Sequence, residues 1–450
     1  MSADYRTRPS SRQGPQLAHD LHVQLATFLA PVLTLLDIHL DSRLVRTTFA
    51  AVAAILTLRH RQHGLLLSEL GSYLLGPAQA PAGTKRLSHL LRSPNWTAAL
   101  ISDWFWQQAT NRVHTLHLAQ QEALVIWDES VLEKPESQHG DGLCAVRSSK
   151  AQRLRRIRPG FFNPPSGRPI CVAGLQWLGL LLVEPGGPPS VITMQWWTTR
   201  GTRATDRRTV EAALLRRCIA AWGRQVCHLF DRGFAGRPWL THLLDANLRF
   251  VLRWPKGYKL LDQWAEERKA WQIVRGKRSW STRLIRDTRS RDVRKVGVVA
   301  CSVTHPHHAR PLWLVVARPG KGREPWYLLT SEPIRTADDA WRIVFAYARR
   351  WQIEMTWRYS KSELAFESPR LWTWERREKL LLLATLAYAF LLSLLVSRLT
   401  ELRVALLRVG CHRTGTRSRE TPMPLYRLRS AISRLWLAHL TNMSHPQNSG

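Results

Sequence analysis

The chain has 450 residues, 44% of them apolar, enough to bury a sizeable core across two to four units and to exclude a disordered polypeptide. Its 66 Lys and Arg against 33 Asp and Glu leave a formal charge of +33, too large for an ordinary solvated surface. A polyanion is required, and nucleic acid is favoured over a membrane because the basic residues run along the whole length instead of gathering on one amphipathic helix.

Six cysteines (Cys144, Cys171, Cys218, Cys227, Cys301, Cys411) form no C-x-x-C pair, so neither a disulfide framework nor a cysteine zinc site is indicated, and a reducing cytoplasm fits. Met1 to Gln16 is polar, without the apolar core of an export signal. Residues 1–19 are expected to form a disordered tail.

Residues 20–120 are expected to form a helical DNA-binding domain. Leu and Ala recur at helical spacing from about Asp20 to Arg112, with turns at Gly76-Pro77 and Pro81-Ala82-Gly83. The basic stretch Thr84 to Arg92 reads equally well as a DNA-facing or a solvated helix face.

From Ala123 the pattern changes to strands. Ala123 to Trp127 is a short apolar run ending in Asp128, followed by strand candidates at Ile170 to Val183 and Ser190 to Trp197 and a helix from about Thr209 to Trp222. Val226 to Phe230 again ends in an aspartate, Asp231, and a short helix and the strand Arg249 to Trp254 follow. The fold class expected is α/β, a ribonuclease-H-like core over residues 121–255 and 325–400 with its first and fourth strands side by side. Ligands of open α/β sheets sit at strand carboxyl ends, so the two aspartates should meet.

Residues 256–324 read as a very basic β-strand insertion, with strands near Val296 to Val303 and Leu312 to Val316. Leu380 to Val396 is seventeen residues without a charge, at the short limit of a membrane span of about 17–25 residues. Its alanines, Tyr388 and Ser393 suit a helix buried inside the protein, and no membrane is expected. Residues 401–450 form a basic C-terminal region.

The most informative helix opens at Thr336-Ala337-Asp338-Asp339, a capping box, and its helical spacing continues to about Leu364. Trp341, Val344, Phe345, Ala348, Trp351 and Met355 form the expected core stripe. Tyr347, Arg350, Glu354 and Lys361 form a second stripe, a carboxylate held among cationic and phenolic groups, which suits a phosphodiester site. Taken alone, Arg350 and Glu354 are also an ordinary i, i+4 surface pair.

The spacing Tyr347-x2-Arg350-x3-Glu354-x6-Lys361 resembles the Y-x2-R-x3-E-x6-K signature of DDE transposases of the insertion-sequence-4 superfamily. Trp127-Asp128-Glu129-Ser130-Val131-Leu132-Glu133-Lys134-Pro135 is similar to that family's first-aspartate motif, Phe230-Asp231-Arg232-Gly233-Phe234 to its second, and Trp326 to Pro333 to the strand before its glutamate helix. The likeness runs from about Lys85 to Leu395. It implies metal-dependent cleavage and strand transfer at insertion-sequence ends, with Asp128, Asp231 and Glu354 catalytic and holding Mg²⁺, or Mn²⁺ in its place. It also implies a homodimer acting on transposon ends and target DNA in the bacterial cytoplasm, near the nucleoid. Hard cations take oxygen ligands, so three acids without a Cys/His set are the hardware expected.

DNA contacts are expected from Tyr347, Arg350, Lys361 and Arg232, and from Lys150, Arg153, Arg155 and Arg156 in the connection after the first strand. In the family an aromatic residue at the start of the pre-helix strand stacks on a flipped base, and Trp326 stands at that position. A core role for Trp326 is equally open, and Trp254 is a weaker stacking candidate. His305, His307 and His308 read as a polar loop around Pro306. Two other readings stand beside the transposase: a ribonuclease-H-like nuclease without strand transfer, and a transposase-derived DNA-binding protein without catalysis.

Overall fold

The computed structural model describes residues 13–137, 139–151, 169–184, 186–286, 293–320, 322–410 and 423–439. Among these, five α-helices precede the first strand: α1 (Gln13–Asp37), α2 (Ser42–Thr57), α3 (Leu67–Leu75), α4 (Ala80–Arg92) and α5 (Ala98–Leu118). Helix α1 starts inside the stretch expected to be tail and buries Leu21, Leu25, Leu29, Val32 and Leu36, one stripe at steps of four and three. Asp41 caps α2 by accepting from the Arg43 and Leu44 amides, both at 2.9 Å. Helices α3 and α4 touch through glycines: a Cβ on Gly83 would lie 2.1 Å from the Gly71 carbonyl oxygen. The basic stretch on α4 is amphipathic, with Leu87, Leu90 and Leu91 buried and Lys85, Arg86, His89 and Arg92 exposed.

The strand region supplies β1 (Ala123–Glu133), β2 (Cys144–Arg147), β3 (Cys171–Val183), β4 (Ser190–Trp197), α6 (Arg207–Trp222), β5 (Val226–Phe230), α7 (Arg237–Asp245) and β6 (Arg249–Arg253). Strand β3 runs antiparallel to β1, and β2 and β4 share its outer edge. On the other side β1 pairs in parallel with β5, and β5 with β6. The first and fourth long strands, β1 and β5, are therefore neighbours, as the sequence predicts.

The basic β-rich stretch does not stand apart. Its strands β7 (Lys259–Leu261), β8 (Glu267–Lys269), β9 (Ser281–Arg286), β10 (Val293–His305) and β11 (His308–Arg318), with the short helix α8 (Ala270–Ile273) among them, join β12 (Trp326–Thr330). Because β12 pairs antiparallel with β6, all of them belong to one twelve-stranded mixed sheet. The histidines around Pro306 form the β10–β11 turn, where His305 Nδ1 accepts from the His307 amide at 3.3 Å.

Alternate residues of the central strands feed two cores, one on each face. Leu124, Ile126, Trp177, Leu181 and Leu229 face α1–α4, the first half of α5 and the C-terminal helices. Val125, Trp127, Leu178, Leu180 and Phe230 face α6 and α7. The C-terminal helices are α9 (Ala337–Ala348), α10 (Trp351–Ser362), α11 (Trp374–Ser393), α12 (Thr400–Gly410) and α13 (Leu425–His439). Helix α11 buries Leu380, Leu383, Leu386 and Phe390 completely. No single helix among the described residues is long and apolar enough to cross a membrane; α11 and α12 reach that mark only as a pair bent by 80°.

Candidate active site

Parallel pairing builds the centre of the site. The β1/β5 register sets Ala123 opposite Val226 and Ile126 opposite Leu229. Two residues further along the same offset, Asp128 comes level with Asp231. Here the structure corrects an expectation: Asp128 does not end its strand, because pairing with β3 continues through Asp128–Gly179 to Glu133–Gly174. Only β5 ends. Asp231 is the residue after it and caps a 3-10 turn, its carboxylate accepting from the Gly233 amide.

Helix geometry supplies the third piece, with a second correction. The expected continuous helix is two, α9 and α10. The Thr336–Asp339 capping box starts α9, the Asp339 amide donating to Thr336 Oγ1 at 3.1 Å and the Thr336 amide to Asp339 Oδ2 at 3.0 Å. Around Arg349 and Arg350 the backbone turns through i, i+3 bonds, Arg350 N to Tyr347 O at 3.0 Å and Gln352 N to Arg349 O at 3.0 Å.

The guanidinium of Arg350 contacts the Glu354 carboxylate and lies 3.8 Å from Asp128 Oδ2. One cation thus bridges two of the three acids. Glu354 itself is exposed. Among the described residues no group of three or more His, Cys, Asp and Glu is arranged to hold a metal ion.

The two stripes inferred on this helix are not cleanly separate. Phe345, expected in the core, is 41% exposed and stacked on Trp341 at 5.4 Å, while Tyr347, expected on the site face, is buried. The reason is the phase of α9, whose buried face runs through Ala340, Ile343, Val344 and Tyr347 and leaves Phe345 at its edge. Tyr347 remains beside the site: Arg350 lies 5.9 Å above its ring, and burial raises its phenol above the usual range, with Arg350, Arg253 and Asp231 among its charged neighbours.

Burial pushes the Asp128 carboxyl up to about 7, Arg350 opposing the rise, the Asp231 charge adding to it and a hydrogen bond from Trp357 opposing it further. Lys361 is half-buried, and burial lowers its ammonium while Glu367, Glu133 and Asp128 hold it up. Burial alone would raise Glu133, but hydrogen bonds from Ser149 and Ser148 outweigh it and keep that carboxylate ionised below its ordinary value.

Two residues that the sequence did not mark belong to this constellation. Trp357, buried on α10, donates its indole N–H to Asp128 Oδ2 at 3.0 Å. The edge of its ring reaches β3 where Gly179 leaves room: a Cβ at Gly179 would come within 2.1 Å of Trp357 Cη2. Arg207, at the start of α6, contacts Glu129 Oε2 and the buried Glu211 Oε1, each at 2.8 Å, and its guanidinium lies 5.3 Å from the Phe234 ring. It braces the residue after Asp128 against the turn after Asp231. A fixed four- or seven-residue spacing would reveal neither the Trp357–Asp128 nor the Arg207–Glu129 contact, since both join distant segments.

The other expected contacts are dispersed. Lys150 pairs with Glu367 at 2.6 Å. Arg232 shares a shallow cleft with Arg253, Lys256 and Tyr327, near the ends of β6 and β12. Half-buried Trp326 meets the Tyr347 ring edge-on at 5.3 Å, whereas Trp254 is buried against Tyr258 and His305, too enclosed to stack on a base. Arg153, Arg155 and Arg156 lie outside the described residues.

Residues 198–390 match the family model of the transposase DDE domain. The matched stretch includes Asp231, Tyr347, Arg350, Glu354 and Lys361 and begins after Asp128. No curated protein matches the chain. Among solved structures, the chain has a distant likeness to a piggyBac transposase synaptic complex with hairpin DNA studied by cryo-EM, at 13% identity, covering 91% of this chain and 74% of that one, with a TM-score of 0.41.

Proposed function

We propose that the chain is a DNA transposase that cuts and rejoins the ends of an insertion sequence, with Asp128, Asp231 and Glu354 as its metal-holding carboxylates. The observation that carries this reading is the convergence of three segments far apart in sequence: β1 and β5 set Asp128 and Asp231 side by side, and α10 brings Arg350 onto Asp128 with Glu354 one contact away. The strand order β4-β3-β1-β5-β6, antiparallel then parallel, supports a ribonuclease-H-like core with residues 256–324 inserted. The family match over residues 198–390 supports the same reading.

The donor set is all carboxylate oxygen, which fits Mg²⁺ or Mn²⁺, and Asp128 and Asp231 already stand together. Such ions, when bound, make the attacking oxygen nucleophilic and stabilise the leaving oxygen of a phosphodiester. For Glu354 to join the two aspartates, Arg350 has to release it. The freed guanidinium is then available to a phosphate oxygen, where its planar fork is worth more than a point charge. Lys361, held near Asp128, Glu133 and Glu367, supplies a second positive group beside the site. The formal charge of +33 provides the attraction that holds DNA, and pairing of two ends in a homodimer accounts for strand transfer.

The test is an in vitro reaction of the purified protein with Mg²⁺ and a DNA fragment carrying the sequences that flank its gene. Nicked and strand-transfer products are expected from the unaltered chain. Asp128→Ala, Asp231→Ala and Glu354→Ala should lose both products while binding the fragment normally. Normal cutting by any one variant removes that residue from the site, and cutting without joined products makes the protein a nuclease.

A further inference from the structure

The turn between α10 and α11 presents a tryptophan that the fold leaves outside its core. Trp372 is 65% exposed, although Trp374, two residues later, is buried. Its backbone is nevertheless fixed from beneath. Buried Arg377 donates to the carbonyls of Leu371 at 2.9 Å, Trp372 at 3.1 Å and Asp141 at 3.0 Å. The Asp141 amide donates to the Trp372 carbonyl at 3.0 Å, and Asp141 Oδ2 accepts from the Trp374 amide at 3.0 Å. Burying a guanidinium is costly unless its hydrogen bonds are met. Its two terminal nitrogens are bonded by the carbonyls at the tip that carries the exposed indole, while Nε has no partner among the described residues.

Basic and acidic side chains are interleaved around the turn. Arg370 is exposed on the same turn. Glu367, at its base, pairs with Lys150 at 2.6 Å and accepts on its carbonyl from Lys134 Nζ at 2.5 Å. The Glu367 charge also acts on Lys361, which in turn senses Asp128. A rigid aromatic platform binds at little entropic cost, because its backbone is ordered beforehand.

We infer that Trp372 is a stacking platform for an unpaired DNA base, an inference that rests on the DNA reading above. Stacking needs a free π face, which a base inside a duplex does not offer and a frayed end or single strand does. It needs no particular sequence.

The experiment compares binding, without catalysis, of a short blunt duplex and of the same duplex bearing a short single-stranded extension, at one salt concentration. Trp372→Ala should weaken binding of the extended duplex roughly fivefold or more, the range of lost base–aromatic stacking, and leave the blunt duplex unchanged. Trp372→Phe should keep most of the affinity, and both variants should melt with the unaltered chain because the side chain is exposed. Equal affinities of Trp372→Ala and the unaltered chain for the extended duplex overturn the inference, as does an equal loss on both duplexes. If the unaltered chain binds neither, the DNA reading itself fails and takes this one with it.

Discussion

Trp357 and Asp128 are joined across 229 residues of chain by an indole N–H donated to a carboxylate oxygen. The bond is neutral on the donor side, so it orients Asp128 without cancelling its charge. Partners that orient metal-binding carboxylates typically matter by about 10–100-fold in affinity or rate. Trp357→Phe should therefore weaken Mn²⁺ binding, read by electron paramagnetic resonance, and slow cleavage to a similar degree, beside the loss of stability that a large-to-small change in the core brings. Unaltered Mn²⁺ affinity would show that the indole only packs.

Gly179 gives an independent handle on the same contact. A methyl group there meets Trp357 Cη2 at 2.1 Å, and overpacking of this kind costs about 1–3 kcal/mol. Gly179→Ala should lower stability and cleavage together. In a Trp357→Phe background the penalty should shrink by about 1 kcal/mol or more, since phenylalanine lacks the ring edge that clashes. Additive stability changes in the double variant would mean that the methyl disturbs something else.

On the α9 surface the prediction separates two stacked rings. Trp341 is buried and Phe345 is 41% exposed. Trp341→Ala should cost about 3–5 kcal/mol, and Phe345→Ala about 1 kcal/mol or less, as for a partly exposed site. Equal losses in denaturant melts would place Phe345 in the core after all.

Arg350 is tested by its effect on the carboxylates it bridges. In Arg350→Met the largest influence holding Asp128 down is gone, so the Asp128 carboxyl should titrate above about 7. Carbon-detected NMR of that carboxyl in chelator follows this directly, and cleavage should fall with it. An unmoved titration would mean that the 3.8 Å approach of Arg350 to Asp128 is not kept in solution.

His228 makes the pH dependence of stability calculable in sign. It is fully buried, accepts from Trp127 Nε1 on its Nδ1 at 3.0 Å, and burial lowers its imidazole to about 3 from 6.5. The unfolded chain therefore takes up a proton that the folded chain refuses, so this contribution is present above 6.5 and is lost as pH falls toward 3. Each pH unit in that window is worth up to about 1.4 kcal/mol. Between pH 6 and 4, on the order of 2–3 kcal/mol should separate the acid loss of the unaltered chain from that of His228→Gln. Parallel pH profiles for the two would rule the imidazole out as the cause.

Much of the sheet was legible because its strands are apolar runs with abrupt polar ends. Strands β4 and β5 fall on their predicted bounds, and the capping box of α9 forms as its residues imply. The continuation of β1 past Asp128 was not legible, because Glu129 and Ser130 look like a strand's end unless the β3 ladder is known. The stripe assignment failed at Phe345 and Tyr347 because apolar residues surround α9 and do not single out its buried face of Ala340, Ile343, Val344 and Tyr347; the turn at Arg350 was missed because neither a proline nor a glycine announces it. Trp357 was hidden among 21 tryptophans, and only the tertiary contact with Asp128 sets it apart.

The two aspartates differ in how firmly they are mounted. Asp128 stands inside a strand laddered far beyond it, while Asp231 stands at the first residue of a turn whose neighbouring strand has just stopped. Any change in the gap between them must then come from the Asp231 side, like a vice with one welded jaw. Arg207 sits at the hinge of the movable jaw, touching Glu129 on the fixed side and Phe234 on the other. The stiffness of the pair is thus set by a residue that carries none of the proposed chemistry, and under the proposed metal role the fitting of ions of different radius would fall to the Asp231 side.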